Sequence, residues 1–338
     1  MTPLYQAQDI TVDILVFDGI ETPLKKQLKK LGVNIIEFSH GGFVYNPKYI
    51  FQLIKIFQTK YDWIHTHNTA CQLFAAIASL FTTVNLCTTE HNTSNRRRKW
   101  KIFKLIDQWM YSRYKFIISI SQATTINLTK HVHLTNPIIT IPNGINVKAY
   151  ANAHALEKEI LGLHNNEYLI TMVGGFRQQK DQDTIIKAMS LLPENVHLCL
   201  VGDGIRKNAC VALSNNLHLS NRIHFLGIRS DVPNILKTTD IVIMSSHYEG
   251  FGLAAVEGMA AGKPVIASNV PGLADVVRNY GFLFPKGDEV TLANTIRTLL
   301  DNPSLYHETA LKCYNRAQDY DLSLTVQEYI RVYKDYNL

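Results

Sequence analysis

The sequence predicts an α/β protein with two doubly wound domains, each a parallel sheet covered by helices on both faces. Short apolar runs alternate with longer segments of helical periodicity along the chain, which is the pattern of parallel strands joined by crossover helices. The 338 residues exceed what one core usually organises. A strong turn signal at Pro142-Asn-Gly144 separates two similar sets of strands, and hydrophobic residues at 46% can fill two cores.

The candidate strands are mostly apolar, as strands covered on both faces should be. In the first half they are Val12–Phe17, Val33–Phe38, Trp63–Thr66, Asn85–Thr89, Phe116–Ser119 and Ile138–Ile141. In the second half they are Tyr168–Val173, Val196–Val201, Ile223–Leu226, Ile241–Met244, Pro264–Ala267 and Gly281–Phe284. Helical spacing is clear in Pro23–Leu31, Pro47–Gln58, Asp183–Leu191 and Ser323–Asn337.

The turn signal places the domain boundary at Asn146. We expect a first domain over residues 1–146, a second over 147–320, and a final segment, 321–338, that packs back on the first domain. The charge balance changes at the same point, from 16 Lys and Arg against 8 Asp and Glu in residues 1–147 to 18 against 20 afterwards. The basic first half therefore suggests an anionic partner for that half. Both domains should present their strand-end loops to a shared cleft.

Several protein classes are excluded by the composition. No run of about 18 apolar residues is present to span a bilayer, and residues 1–10 lack the apolar core of a signal peptide. The cysteines are odd in number and form no Cys-x-x-Cys pair, which fits a reducing cytoplasm rather than a disulfide framework or a zinc site. They are Cys71, Cys87, Cys199, Cys210 and Cys313.

The segment from Ser245 to Pro271 carries the most chemical information. An acid, Glu249, follows a strand end and is succeeded by Gly250-Phe251-Gly252, and a second acid, Glu257, lies in the small-residue helix that begins near Leu253. Two surface glutamates flanking a packed helix are the structural alternative. A glycine-rich turn directly after an acid at a strand end instead favours a ligand site, to which His247 also belongs.

Two glycine turns in the same domain indicate where phosphate would bind. Gly174-Gly175 ends a strand and is followed by Arg177 and Lys180, so backbone N–H groups and two cations can approach one anion. Gly202-Asp-Gly204 ends the next strand, but Lys207 stands where a dinucleotide fingerprint would have its third glycine. Ordinary strand-to-helix turns with solvated cations remain the alternative.

Histidines end two neighbouring strands of the first domain. His65 and His67 share one side of a strand by alternation, and His91 and Asn92 follow the next strand. Buried structural histidines are one interpretation, but their grouping favours a ligand-facing wall. A zinc site lacks a Cys or Asp partner at ligand spacing, so we expect no metal.

A dense basic run follows these histidines. Arg96-Arg97-Arg98-Lys-Trp-Lys101 contains five cations in six residues. A solvated face, an anionic acceptor and an anionic membrane surface are all compatible with it. Nucleic acid is disfavoured, because the run has no accompanying pattern of stacking aromatic residues.

Taken together, these segments resemble glycosyltransferase family 4, whose members are retaining enzymes of the GT-B fold, and in particular bacterial capsule and exopolysaccharide transferases. The two glutamates separated by seven residues are the most specific motif, and the resemblance covers nearly the whole chain. It implies transfer of a hexose-type unit from a UDP- or GDP-sugar to a lipid-linked or saccharide acceptor in cell-surface polysaccharide synthesis. It also implies no metal or cofactor, and a cytoplasmic enzyme held peripherally at the inner face of an anionic membrane.

The resemblance also implies residue roles. Glu257 would bind the ribose hydroxyls, Glu249 would contact the donor sugar, and backbone amides of Phe251 to Leu253 would hold sugar or phosphate oxygens. Lys180 with Arg177 would stabilise the departing diphosphate. The remaining residues of the donor set are Gly174, Gly175, Gly202, Gly204, His247, Gly250 and Gly252. His67 would lie beside the donor sugar, and the acceptor set is His67, His91, Asn92, Arg96, Arg97 and Arg98.

Two departures from the family pattern keep alternatives open. Gly175 stands where the family usually has an arginine, and Arg177 comes two residues later. The family's first strand and its Gly-Gly loop have no counterpart before Thr11–Phe17, so we expect unpaired strand edges in the first domain. A weakly active or inactive sugar-nucleotide-binding homologue is therefore the alternative function, and a sugar-nucleotide epimerase is a less favoured one.

Overall fold

A computed structural model describes residues 1–59, 61–91 and 100–336, with only the backbone of Lys101. The chain divides into two compact units. Unit 1 contains Met1–Pro142 and Ser323–Leu338, and unit 2 contains Asn143–Leu322. The division falls at the predicted Pro-Asn-Gly turn, four residues before the expected boundary.

In chain order the described elements are α1 (Thr2–Gln6), β1 (Ile14–Val16), α2 (Pro23–Lys30), β2 (Ile35–Glu37), α3 (Lys48–Phe57), β3 (Trp63–His67), α4 (Thr69–Ala78), β4 (Asn85–Glu90), α5 (Lys101–Ser112), β5 (Phe116–Ser119), α6 (Gln122–His131), β6 (Ile138–Thr140), α7 (Val147–Ala151), β7 (Tyr168–Val173), α8 (Gln182–Met189), β8 (Val196–Val201), α9 (Lys207–Asn216), β9 (Ile223–Gly227), α10 (Val232–Thr238), β10 (Ile241–Met244), α11 (Leu253–Ala260), β11 (Val265–Ser268), α12 (Leu273–Val277), β12 (Phe282–Phe284), α13 (Glu289–Asp301), α14 (Pro303–Gln318) and α15 (Leu322–Asp335). Two short 3₁₀ helices, Ser79–Phe81 and Lys158–Leu161, complete the set.

The strands of unit 1 form two parallel sheets. One contains β1 and β2, and the other has the order β3-β4-β5-β6. Within the described residues, β1 pairs only with β2 and β3 only with β4, so the predicted unpaired strand edges are present in this unit. In the larger sheet, Thr89 of β4 is in register with Ile118 of β5.

Helices cover both faces of the larger sheet. On one face α3, α4 and α5 contribute to a core that includes Leu53, Phe74 and Tyr111. On the other face α15 packs Val326 and Tyr329 against strand residues, together with α1. The final helix therefore belongs to the core of unit 1, because its apolar positions recur at helical spacing and face the sheet.

Unit 2 contains one fully parallel six-stranded sheet with the order β12-β11-β10-β7-β8-β9. From β7 the chain proceeds outward through β8 and β9, and from β10 it proceeds in the opposite direction through β11 and β12. The adjacent strands β7 and β10 therefore flank the topological switch point, beside which the loops leaving their carboxyl ends form the usual ligand crevice of a doubly wound sheet.

All twelve predicted strands are present, with bounds that differ by a few residues. The largest differences are in the first two strands, where the predicted Val12–Phe17 and Val33–Phe38 shorten to Ile14–Val16 and Ile35–Glu37. Both belong to the isolated two-stranded sheet, where one short pairing supplies all the ladder hydrogen bonds.

Candidate functional site

The candidate donor site of unit 2 is formed by the loops that follow β7 and β10. An ion pair joins the two loops: Nζ of Lys180 donates a hydrogen bond to Oε1 of Glu249. The hydroxyl of Ser246 donates to the same carboxylate oxygen over 2.8 Å. Glu249 is only 8% exposed, so its charge is balanced in the folded protein by one ammonium group and one hydroxyl.

A second acid–base contact orders the same loops. Nδ1 of His247 lies 3.4 Å from Oδ2 of Asp181, and the backbone N–H of His247 donates to the carbonyl of Gln179 over 2.8 Å. Burial raises the pKa of Asp181, while a hydrogen bond from Thr184 and the nearby His247 act in the opposite direction. His247 is thus fixed in the candidate site by contacts to the β7 loop.

Glu257 lies in the second turn of α11. Burial raises the pKa of its carboxyl, and the hydrogen bond with Tyr150 and the charge of Lys180 partly offset that effect. Burial and the Glu257 carboxylate likewise raise the pKa of the Tyr150 phenol. Glu257 therefore lies near Lys180. Within the described part of the chain, its carboxyl group has one hydrogen-bond partner, the phenol of Tyr150.

Two glycines after β8 are required by the close approach of neighbouring backbone. Gly202 has φ +135°, and a Cβ there would come within 2.2 Å of the carbonyl oxygen of Gly174. Gly204 has φ +155°, and its Cβ would lie 2.5 Å from the carbonyl oxygen of Phe176. The glycine turn after β8 therefore packs directly on the glycine turn after β7, with Gly174 N–H bonded to Val201 C=O over 2.9 Å.

Helix α11 starts at this site with an uncapped amino end. Its N-cap, Gly252, has φ +103° and no side chain to accept from the first N–H groups. Leu253, the first helical residue, is 42% exposed. Unsatisfied N–H groups at a helix start favour an anionic or oxygen-rich ligand.

The other predicted donor residues differ in exposure, since Arg177 is exposed and Phe251 is buried. Arg177 is exposed, and its Nε lies 3.8 Å from where a Cβ of Gly175 would be. Gly175 accepts a hydrogen bond from Gln182 through its carbonyl. The side chain of Phe251 packs edge-on against Tyr320. It therefore anchors the loop between β10 and α11, which also contains Gly250.

In unit 1 the strand-end histidines form a separate cluster. The rings of His65 and His67 stack with centroids 4.5 Å apart, as strand alternation predicts, and Nδ1 of His67 lies 2.9 Å from Nε2 of His91. His65 bonds Tyr333 Oη at 2.5 Å and Thr89 Oγ1 at 2.7 Å. One histidine of the cluster is thus fixed by the final helix and a neighbouring strand.

The protein environment keeps these rings neutral. Burial, followed by the charges of His67 and His91, holds the pKa of His65 well below its ordinary value. The protein packed around His67, followed by His91, lowers the pKa of His67 to about 4. At neutral pH the cluster can therefore donate and accept hydrogen bonds without carrying charge.

Four predicted acceptor residues, Asn92, Arg96, Arg97 and Arg98, lie outside the described residues. Sequence reasoning missed three residues of the candidate donor site, Ser246, Asp181 and Tyr150. The first two adjoin predicted residues, so a hydroxyl and an acid beside His247 and Lys180 were available signals. Tyr150 is 107 positions from Glu257, and no local pattern connects them.

In residues 1–59, 61–91 and 100–336, no group of three or more His, Cys, Asp or Glu side chains has the geometry of a metal site. Across those same residues, none of the helices has both the length and the apolar character needed to cross a bilayer.

Comparison with known families identifies both units. Residues 4–149 match the family model described as Glycosyltransferase Family 4, and residues 154–319 match the one described as Glycosyl transferases group 1. The two matches together cover most of the chain. The fold is shared with solved glycosyltransferases of the GT-B class: Anabaena HepE, in a complex with UDP-glucose, superimposes with a TM-score of 0.83 over 95% of this chain and 91% of that one, at 23% identity.

Two curated relatives are similar over most of their length. An Escherichia coli enzyme named UDP-Gal:alpha-D-GlcNAc-diphosphoundecaprenol alpha-1,3-galactosyltransferase is 30% identical over 280 residues, which is 76% of this chain and 70% of the relative. The putative glycosyltransferase EpsD of Bacillus subtilis is 25% identical over 305 residues, 84% of this chain and 80% of the relative. The chain belongs to glycosyltransferase family 4.

Proposed function

We propose that this glycosyltransferase transfers a hexose unit from a nucleoside diphosphate sugar to a lipid-linked or saccharide acceptor, with retention at the anomeric carbon. The observation that carries the proposal is the ion pair of Lys180 with Glu249 beside the switch point of unit 2, with Glu257 near enough to Lys180 to interact with its charge. A cation, a buried acid and a carboxyl near an uncapped helix start match the three parts of such a donor: diphosphate, sugar and ribose.

Each part of the donor has a proposed partner. The carboxyl of Glu257 accepts from the ribose hydroxyls and releases Tyr150 when it does so. Lys180 and the exposed Arg177 neutralise the diphosphate, assisted by the free N–H groups at the start of α11. Glu249 contacts the sugar hydroxyls, and Ser246 holds the carboxylate in place.

The proposed reaction balances without an added reagent. The bond from the anomeric carbon to the diphosphate oxygen breaks, and a bond to the acceptor hydroxyl oxygen forms on the same face of the sugar. The acceptor proton passes to the departing phosphate, whose negative charge Lys180 and Arg177 stabilise. The proposal invokes no metal ion or organic cofactor.

The donor and acceptor classes are inferred from relatives. The E. coli relative is named for a UDP-sugar donor and a diphosphoundecaprenol-linked acceptor, and HepE was solved with UDP-glucose. These names favour a UDP-sugar over a GDP-sugar and an acceptor on a lipid carrier. They support a role in cell-surface polysaccharide synthesis, with the enzyme on the cytoplasmic side of the membrane.

The acceptor side is assigned to unit 1. We propose that His67 and His91, neutral at physiological pH, bind hydroxyl groups of the acceptor. Asn92, Arg96, Arg97 and Arg98 are proposed to bind the acceptor's phosphate groups, since six cations and no acid occur between residues 96 and 104.

The test is a transfer assay with UDP-glucose, UDP-galactose, UDP-N-acetylglucosamine and GDP-mannose against synthetic polyprenyl-diphosphate sugars. Mass spectrometry detects the product, and NMR coupling constants give its anomeric configuration. We expect one donor to be used with retention and Glu249→Gln to abolish transfer. The exposed Glu194→Gln is the matched control and should transfer normally. An inverted product, or no donor bound at all, contradicts the proposal.

One observation favours a second candidate function, a homologue that binds sugar nucleotides with little turnover. Gly175 stands where the family usually has an arginine, and Arg177 is exposed. Donor binding without transfer to any acceptor would support this candidate. Gly175→Arg would then raise turnover if the missing cation is the cause.

A further inference from the structure

The backbone of Asp181 has a conformation that is unfavourable for an aspartate. Its φ is +53°, in the left-handed region where a Cβ crowds the following carbonyl oxygen. Asp181 is also 7% exposed, so water contributes little to the solvation of its carboxyl group. Both features cost stability, and residues held in such conformations are concentrated at functional sites. A specific contact of the carboxyl group would explain why an acid is present here.

The carboxyl group of Asp181 contacts two side chains. The hydroxyl of Thr184, in the first turn of α8, donates a hydrogen bond to Oδ2 over 2.6 Å. Nδ1 of His247 lies 3.4 Å from the same oxygen and is shielded from solvent. Thr184 is three residues away on the same segment, whereas His247 follows β10. The contact with His247 is therefore the one that joins two loops.

Lys180 lies between two hydrogen-bonded links to the loop after β10. On one side, the backbone N–H of His247 donates to the carbonyl of Gln179 over 2.8 Å. On the other side, the buried hydroxyl of Ser245 donates to the carbonyl of Asp181 over 2.7 Å and lies 3.3 Å from the carbonyl oxygen of Lys180. The contact between Asp181 and His247 joins the same pair of loops. Together these contacts fix the backbone from which the Lys180 side chain extends.

The charged groups around Asp181 make His247 its partner across the loops. Arg206 donates a hydrogen bond to Asp183 over 2.5 Å, so this nearby cation already has a partner. Burial raises the pKa of the Asp181 carboxyl, and the hydrogen bond from Thr184 lowers it. The charge of His247 also lowers that pKa, whereas Asp183 raises it. His247 therefore favours the charged form of Asp181 in a place where burial opposes it.

We propose that Asp181 and His247 are positioning residues for Lys180, because their contact holds the loop after β7 in the geometry that places the Lys180 ammonium group beside Glu249. The strained turn is tolerated because it brings the carboxyl group to His247. Neither residue has to touch the reacting atoms in this role. The inference rests on the proposed function, since the position of Lys180 affects turnover only where a diphosphate leaves.

The first test compares Asp181→Gly with Asp9→Gly. Asp9 has φ +56°, is exposed and lies in unit 1, so it offers the same substitution in the same backbone conformation outside unit 2. Neither variant should lower the midpoint of urea unfolding, because glycine adopts positive φ without a Cβ clash. Asp181→Gly should nevertheless lower kcat for release of nucleoside diphosphate about tenfold or more, with KM nearly unchanged, because the charge of the leaving group develops in the transition state. Asp9→Gly should keep the wild-type kcat.

The second test is a double-mutant cycle with Asp181→Asn and His247→Gln, using the four sugar nucleotides of the transfer assay. Asparagine tolerates positive φ and can still accept the hydrogen bond from Thr184, so a fall in kcat reports the lost contact with His247 rather than a distorted turn. Each single variant should lower kcat, and the double variant should be no slower than the slower single one. Effects that multiply would overturn the proposal, since the two residues would then act separately.

Hydrogen exchange of the His247 amide tests the contact without any donor. Because this N–H bonds to the carbonyl of Gln179, its exchange, followed by NMR, should be about tenfold faster in Asp181→Asn and unchanged in Asp9→Gly. Unchanged exchange in Asp181→Asn would overturn the proposal, and so would faster exchange with wild-type kcat. A wild type that releases no nucleoside diphosphate contradicts the proposed function instead, while the exchange rates still decide whether Asp181 and His247 hold the loop.

Discussion

The ammonium group of Lys180 donates a hydrogen bond to the carboxylate of Glu249, 69 positions away in the sequence. The bond joins the loops that follow the two strands flanking the switch point of unit 2. A buried carboxylate with one cation as its partner depends strongly on that cation. The two residues therefore act together, and substitution of either changes the environment of the other.

Lys180→Met should reduce the rate of UDP release from the donor by a factor of about 10² to 10³, because it removes the proposed cation for the leaving diphosphate. Lys187→Met is the matched control, since Lys187 lies exposed in the last turn of α8, the helix that follows the Lys180 loop. Steady-state kinetics with the preferred donor checks this prediction. Equal rates in the two variants would mean that Lys180 has no part in the chemistry.

Gly202→Ala should destabilise the fold by more than about 2 kcal/mol, because it combines an unfavourable φ with a close contact to the Gly174 carbonyl. Gly262→Ala provides the comparison. Gly262 also has positive φ, at +77°, but a Cβ there meets nothing within 4 Å. Gly262→Ala should therefore lower the free energy of unfolding by only about 1 kcal/mol. Urea denaturation measures both values, and similar losses would show that the contact between the two glycine turns is unimportant.

Glu257→Gln should change how stability depends on pH. Because burial raises the pKa of Glu257 in the folded protein above the ordinary 4.5, the folded state holds this proton at pH values where the unfolded state has released it. Its contribution to stability is present below pH 4.5 and is lost as the pH rises through the folded-state pKa. The neutral glutamine variant should therefore gain stability relative to wild type across that window.

Denaturation at a series of pH values checks this effect, with Glu194→Gln as the matched control. The difference in unfolding free energy between Glu257→Gln and wild type should rise above pH 4.5 and then level off, while the control stays flat. A difference that falls with increasing pH would mean that the carboxylate is stabilised in the folded protein.

His67 should stay neutral until the pH falls to about 4, because the surrounding protein and His91 disfavour its protonation. Nitrogen-15 NMR of the imidazole rings over pH 3 to 8 follows this transition, and the resonance lost in His67→Asn assigns it. A midpoint near the ordinary 6.5 would show that the histidine cluster is open to water and carries charge in acidic conditions.

Much of the fold follows from local pattern. Strands such as Ile241–Met244 are continuous apolar runs of the length predicted, and they are recognisable because strands covered on both faces need apolar side chains on each. The predicted bounds of the strand Ile14–Val16 are too long at both ends, because Val12 and Phe17 are apolar but lie outside the ladder. The pairing of the strand with its neighbour, rather than its amino-acid composition, determines where the strand begins and ends.

The site was predictable where its residues are close together in sequence. Glu249, Gly252 and Glu257 lie within nine positions, and Lys180 follows a recognisable glycine turn. The contact between Lys180 and Glu249 and the pairing of Glu257 with Tyr150 depend on how β7 and β10 meet in the sheet and on how α7 and α11 pack. No spacing in the chain encodes those distances.

The most direct test of the central claim is calorimetric titration of UDP into the wild type, Glu257→Gln and the exposed control Glu194→Gln. If Glu257 holds the ribose in unit 2, the wild type and the control should bind UDP equally. Glu257→Gln should bind UDP at least about tenfold more weakly, because the variant loses a hydrogen bond to a charged group. Unchanged UDP affinity in folded Glu257→Gln would contradict the account.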